Sequence, residues 1–281
     1  MAVLIALLGI GGWAFGGSNG LAIMLVVGLA INVGSYWFSD RIALLAHRAR
    51  PVSPDEAPEL YAIIGRLTQR AGMPMPSVHI IPSGSPNAFA TGRGPRHAAV
   101  AVTEGLLGLM DRRQLAGVLA HELSHVRNRD VLIATIASGI AGVISTIGYA
   151  LQWGLMFGGL GDRGNDDRRG SPLAAIAWVI VAPIVAMLLQ LAISRAREYG
   201  ADLSGARLTG DPDGLADALE RLEASSERRP YEYAGPATAH LFIVNPLRGR
   251  AMLSWLSTHP PIEERVARLR AMRGTVAAPA V

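Results

Sequence analysis

The chain has 281 residues, enough for one large domain or two small ones; half are hydrophobic and the mean hydropathy is +0.30. There is no cysteine, which excludes disulfides and thiolate metal sites, so any metal must be held by histidine and carboxylate. The net charge of +4 comes from 26 basic residues, all arginine, against 22 acidic ones, and with no aromatic-interleaved basic patch it speaks for the flanks of membrane helices rather than for nucleic-acid binding.

Residues 1–15 are apolar, Gly16-Gly17-Ser18-Asn19-Gly20 breaks the run, and residues 21–38 are apolar again. A signal peptide would need a basic start and a small-x-small cleavage site before a polar domain, and the segment shows neither. The pattern predicts a helical hairpin of two spans, the first of them short for a ~30 Å hydrocarbon core. Arg41, His47, Arg48 and Arg50 follow and mark the cytoplasmic side. Residues 51–58 are a Pro-rich connector. Residues 55–71 read as an amphipathic helix with Leu60, Ile63, Ile64 and Leu67 on one stripe. Three short strands come next, 77–82, 87–91 and 98–103, split by Gly, Pro and Ser turns. They predict a small antiparallel sheet. An edge strand such as Asn87-Ala88-Phe89 can pair with an extended peptide through backbone hydrogen bonds; a plain structural sheet is the alternative.

Asp111 is a plausible N-cap for a helix from residue 112 onward. That helix carries Leu119-Ala120-His121-Glu122-Leu123-Ser124-His125. Histidines four residues apart share a helix face and are close enough to share a metal ion. Glu122 sits beside the first and can reach a water on that metal without being a ligand. H-E-x-x-H on a helix is a zinc-hydrolase signature, expected by chance in roughly one in a hundred chains of this composition. The bland alternative is an exposed helix that happens to carry two histidines. The helix is expected to continue through Arg127, Asn128, Arg129 and Asp130 into the uncharged run 131–160. A polar loop, 161–170, separates it from a second uncharged run, 172–193. Both runs are long enough to span a membrane, with a hairpin buried in protein as the other possibility.

Two histidines leave a zinc site one protein ligand short. His125 lies six residues before the third apolar run and Glu198 five residues after the fourth. At ~1.5 Å per helical residue, both sit on the order of 8–9 Å from the membrane boundary on the same side. Antiparallel spans would therefore bring Glu198 level with His125. Asp202, one turn further on, is placed to accept a hydrogen bond from a ligand histidine. The competing reading pairs Glu198 and Asp202 with Arg195 and Arg197 on the surface. Candidate donors to a tetrahedral oxyanion are His259, Arg265 and Tyr199. Residues 215–224 and 262–272 read as helices.

H-E-L-S-H, a hydrophobic hairpin and then S-R-A-R-E-Y-G-A-D resemble the HtpX family of membrane metallopeptidases, relatives of the CAAX prenyl proteases. S-Y-W-F-S-D, N-A-F-A-T-G, A-H-L-F-I-V-N-P and S-T-H-P-P-I-E-E-R extend the match over nearly the whole chain. The start departs from the family pattern, lacking basic and polar residues before the first span. The resemblance implies one zinc ion per subunit held by His121, His125 and Glu198, with Glu122 as catalytic base, and it favours His259 as the oxyanion donor. It implies a mainly α fold with a small antiparallel β-sheet (α+β), a zincin-type, gluzincin-like catalytic domain carried on about four transmembrane helices. Residues 1–38 would be a transmembrane hairpin, 39–130 the first part of the catalytic domain, 131–193 a second hairpin and 194–281 the second part. The implied activity is a stress-response endopeptidase of the bacterial cytoplasmic membrane, active site facing the cytoplasm. Its partners would be misfolded or damaged membrane proteins and the lipid bilayer. The rivals are a processing enzyme of prenyl-protease type and a non-catalytic adaptor that retains the fold.

Overall fold

The computed structural model describes residues 2–158, 172–228 and 260–276. His259, the loop 161–170 and the segment 229–259 lie outside the described residues. The chain forms two units in alternation, Met1–Tyr36 with Ile133–Ile193, and Trp37–Leu132 with Ser194–Val281.

The first unit is apolar helix. Helix α1 (Ala2–Trp37) is interrupted at Gly17, whose φ of 55° and ψ of −140° only glycine adopts readily. A Cβ on Gly12 would lie 2.3 Å from the Gly20 carbonyl oxygen, and one on Gly28 would lie 3.3 Å from Ile5. Residues eight apart in a straight helix are separated by about 12 Å, so the chain doubles back at Gly17. Its two arms pack antiparallel, and the small residues allow their backbones to approach closely. Among the described residues, Leu4–Trp37 is the segment long and apolar enough to cross a membrane; a shorter apolar helix covers Asp130–Ile144.

The second unit is α+β. Its elements are α2 (Ser39–Ala46), β1 (Arg50–Pro51), α3 (Pro58–Ala71), β2 (Ser77–Ile81), β3 (Ala88–Thr91), β4 (Ala99–Thr103), α4 (Glu104–Leu109) and α5 (Arg112–Arg127). After α6 (Asp130–Gly158), the end of α7 (Pro172–Thr209) re-enters it, followed by α8 (Pro212–Arg228) and α9 (Ile262–Ala271).

The sheet is mixed, not antiparallel as expected. Its order is β1-β2-β4-β3, with β2 and β4 parallel and the two outer pairs antiparallel. The cause is legible in β4, whose Ala-Val-Ala-Val-Thr is buried at every position. A strand apolar on both faces belongs in the middle of a sheet, so β4 inserts beside β2 and leaves β3 at the edge. The Leu60, Ile63, Ile64 and Leu67 stripe of α3 joins Val78, Val100 and Val102 from the sheet and Val118, Leu119 and Leu123 from α5 in one core. Leu215, Leu219 and Leu222 of α8 and Val266 and Leu269 of α9 complete it. Each such side chain contributes roughly 1.5–3 kcal/mol on burial.

Helix α5 starts as its sequence predicts. The Asp111 side chain accepts from Gln114 N–H while the Gln114 side chain accepts from Asp111 N–H, a capping box that satisfies two otherwise orphaned donors. Its end differs from expectation. Helix α5 stops at Arg127, Arg129 takes a left-handed φ of 58°, and α6 begins at Asp130. With the helix broken there, the Asp130 side chain reaches His125, and that bond offsets the cost of a non-glycine residue in this conformation.

Candidate active site

The site is built on α5 and closed by α7, β3 and α9. His121 and His125, one turn apart, hold their Nε2 atoms 3.1 Å from each other. Glu198 of α7 places Oε2 3.7 Å from His121 Nε2 and Oε1 3.7 Å from His125 Nε2. Ligand atoms of the three residues all lie within 4.8 Å of one another. Three donors at the corners of a tetrahedral site with bonds of ~2.0–2.1 Å would be about 3.3 Å apart, so the observed spacing admits a divalent metal with little adjustment.

The other ring nitrogens are also accounted for. His121 Nδ1 is 2.9 Å from Asp202 Oδ1, and His125 Nδ1 is 2.5 Å from Asp130 Oδ2. A carboxylate on Nδ1 fixes the tautomer that leaves Nε2 as the lone-pair donor, and it makes the ring more basic. Both histidines are therefore oriented for metal by the fold itself. Asp130 was not anticipated from the sequence, because its contact comes with the left-handed break at Arg129. The available signal was an acidic residue at the start of the apolar run, five positions after the second histidine.

Helix α7 reaches α5 through Gly205. A Cβ there would lie 2.9 Å from His121 N and 3.1 Å from His121 Cα, so only a hydrogen allows this crossing. Asp202 and Glu198 lie one and two turns back along α7 and face into the site, both buried. Arg197 Nη1 donates to the Asp130 carbonyl at 2.8 Å.

Arg265 of α9 is 0 % exposed. Its Nη2 and Nε donate to Asp202 Oδ1 and Oδ2 at 2.7 and 2.9 Å, and its Nη1 lies 3.5 Å from Glu198 Oε2. A bidentate guanidinium–carboxylate pair is the strongest hydrogen-bonded ion pair available to side chains. Weighed in the sequence as an oxyanion donor, Arg265 is committed to Asp202. Tyr199 is covered by the Arg268 guanidinium, 3.8 Å from its ring centroid.

The charges reinforce this order. Burial would raise the Asp202 carboxyl, but the Arg265 guanidinium and the His121 hydrogen bond outweigh it and hold the pKa at about 2. Burial would lower His125, yet the Asp130 hydrogen bond with the Glu198 and Glu122 charges lifts it to about 9. Arg265, despite full burial, is pushed further up by Asp202 and Glu198.

Glu122 is buried beside the histidines, and its Oε2 accepts from Ala90 N–H at 3.0 Å. Ala90 lies on edge strand β3, next to Asn87, Ala88 and Phe89. Asn87 O accepts from Thr103 N–H, so by antiparallel alternation Phe89 and Thr91 also bond β4. The backbone groups of Ala88 and Ala90 then point away from β4, and the Ala90 N–H is taken up by Glu122 of α5. The three residues named from the sequence are all buried, Ala88 completely, and the neighbouring Ala90 is tied through its N–H to Glu122.

The family model described as Peptidase family M48 matches residues 54–273. A protein named Protease HtpX homolog from Syntrophobacter fumaroxidans is 52% identical over 272 residues, covering 97% of this chain and 96% of its own. Proteins of the same name from Desulfatibacillum aliphaticivorans and Thermococcus kodakarensis are 53% and 52% identical, covering 97% and 96% of this chain and 87% and 92% of their own. Among solved structures, the crystal structure of S. mikatae Ste24p is similar in fold, with a TM-score of 0.58 at 19% identity over 94% of this chain and 61% of that one. With its histidine pair, buried glutamates and peptidase relatives along almost its full length, the chain belongs to peptidase family M48 and is a metalloprotease.

Proposed function

We propose that this protein is a zinc-dependent endopeptidase of a bacterial cytoplasmic membrane, its active site facing the cytoplasm, that degrades misfolded or damaged membrane proteins. The observation that carries the reading is the convergence of His121, His125 and Glu198 on one point beside the Glu122 carboxylate. One zinc ion held by these three residues would supply a Lewis acid that polarises the scissile carbonyl and acidifies the attacking water. Glu122 accepts the proton of that water and returns it to the leaving nitrogen. The Ala90 N–H holds the carboxylate of Glu122 against the edge of β3. Strand β3 is the outer strand of the sheet, and an extended peptide adding to it would gain affinity with little sequence preference, which suits unfolded chains. His259 is assigned to the oxyanion, on family resemblance, since Arg265 is committed to Asp202. Asp202 and Asp130 orient the histidines.

The membrane part of the reading has four spans: the two arms of α1 and the runs 131–160 and 172–193. It is supported by the apolar length of α1 and by arginines at positions 41, 48, 195 and 197, beside the ends of the apolar runs.

Glu122→Gln decides the mechanism. The purified variant should retain metal and lose cleavage of unfolded casein by several orders of magnitude. Cleavage at the wild-type rate would end the proposal. Cleavage of one defined C-terminal motif by the wild type, with casein untouched, would replace it with the processing reading.

A further inference from the structure

The surface beside the substrate edge carries an apolar stripe that nothing so far explains. Phe38, just before α2, and Ile42 and Leu45 on it follow helical spacing, and they are 49%, 54% and 80% exposed; Trp37, the last residue of α1, is 52% exposed. Single exposed apolar residues are ordinary on a soluble surface, but four large ones within nine residues are not. The flanks are basic. Arg41 adjoins the stripe and Arg48 follows the helix, both exposed, and the Arg93 guanidinium sits over the Trp37 ring at 4.6 Å from its centroid. Asp40, the acid of this helix, falls on the opposite side, which is also where Ala43 is buried. An apolar stripe edged by arginine and tryptophan matches a helix lying in the headgroup layer of an anionic bilayer. Helix α2 also follows α1 after a single residue.

The buried side of α2 has a definite contact. Ala43 clusters with Phe89 of β3, Ala101 of β4 and Ile81 of β2, with Leu44 and Ala49 packed against them. The His47 ring lies 5.0 Å from the Phe89 ring. One face of α2 thus packs on β3, the outer strand whose Ala90 holds Glu122, while the other face is apolar and uncovered within the described residues.

We infer that α2 is a bilayer-surface helix that seats strand β3 at the headgroup layer, so that a chain leaving the membrane meets the substrate edge at once. The inference rests on the membrane-peptidase reading and deepens it: the favoured substrate is a segment directly adjoining a membrane span. Electrostatics and burial act together, with the arginines drawn to anionic lipid and the apolar stripe seated at the acyl boundary.

The natural sequence has no cysteine, so single-cysteine variants I42C, L45C and E59C of the full chain each carry one nitroxide label. Glu59 lies exposed on α3 and serves as the aqueous reference. The proteins are reconstituted in vesicles of about 3:1 phosphatidylcholine to phosphatidylglycerol, which mimic an anionic leaflet. Labels at 42 and 45 should favour oxygen over a water-soluble nickel chelate, and the label at 59 the reverse. Nickel accessibility at 42 and 45 equal to that at 59 would overturn the inference. So would spin–spin broadening at 42 that vanishes on dilution with unlabelled protein, since a second copy would then cover the stripe. Depth is read without turnover, so an inactive protein with buried labels fails the peptidase reading alone. In the second arm, the double variant I42D/L45D should cleave unfolded casein in solution at the wild-type rate. Its cleavage of a reconstituted single-span protein with an unfolded cytoplasmic tail should fall about tenfold or more, because the edge is no longer held near its substrate. Equal loss on both substrates, or loss on neither, would remove the coupling between α2 and β3.

Discussion

Gly205 and His121 meet backbone to backbone: a methyl group on Gly205 would stand 2.9 Å from His121 N. This contact sets the distance between α7, which supplies Glu198 and Asp202, and α5, which supplies both histidines. The metal site therefore depends on the absence of a side chain at a position that never touches the metal.

Gly205→Val should force α7 away from α5. The obstructing atoms are backbone and cannot swing aside, so the strain is of the order of 1–3 kcal/mol. The expected outcome is a folded protein with a lowered melting temperature and little retained metal, measured by calorimetry and elemental analysis. A variant with full metal content would show that α7 is positioned by other contacts.

Arg265→Met should leave the Asp202 carboxylate buried and without its guanidinium. Removing one partner of a buried pair typically costs about 3–5 kcal/mol. Denaturant unfolding of the metal-free protein should show the loss directly. Arg265→Met combined with Asp202→Leu should recover much of it, because the uncompensated charge is gone, while metal binding stays weak for want of the His121 partner. A double variant no more stable than the single one would contradict this account.

Asp130→Asn keeps the shape of the side chain but removes the charge beside His125 Nδ1. Partners of this kind typically contribute about 10–100-fold in metal affinity. Competition with a chelator should reveal a loss in that range with the melting temperature of the metal-free protein little changed. Unaltered affinity would reduce Asp130 to an N-terminal residue of α6.

On the proposed topology, the turn at Gly17 would leave both ends of α1 on one side of the membrane. Single cysteines at positions 2 and 40 should be labelled by an impermeant reagent from the same side of sealed vesicles. Labelling from opposite sides would mean that α1 crosses once, as a straight helix.

The sequence made some of this visible and hid the rest, for physical reasons. Histidine spacing on a helix is local, so the pairing of His121 with His125 is readable from four residues. Glu198 could be placed opposite them only because two uncharged runs of similar length return the chain to its start, and the structure sets its carboxylate 3.7 Å from both rings. Asp130 was hidden by Arg129, a residue with no compositional mark of the left-handed conformation it adopts. Arg265 was visible as a charge near the family-like motif. Its partner is 63 positions away, and no periodicity connects them. The sheet was misread as antiparallel because short strands with short turns suggest a meander. The lack of any polar residue before Thr103 in β4 was the sign that this strand is central.

The two-part construction of the second unit also has a consequence in time. Residues 37–132 hold the histidines and the base, whereas Glu198, Asp202 and Arg265 arrive only after Ile133–Ile193. A ribosome that has just released the H-E-x-x-H helix has made an inert fragment: the third ligand is not yet synthesised, and the charge that anchors Asp202 follows later still. On the proposed ligand set, the nascent chain would stay inactive toward itself until Glu198 has been made.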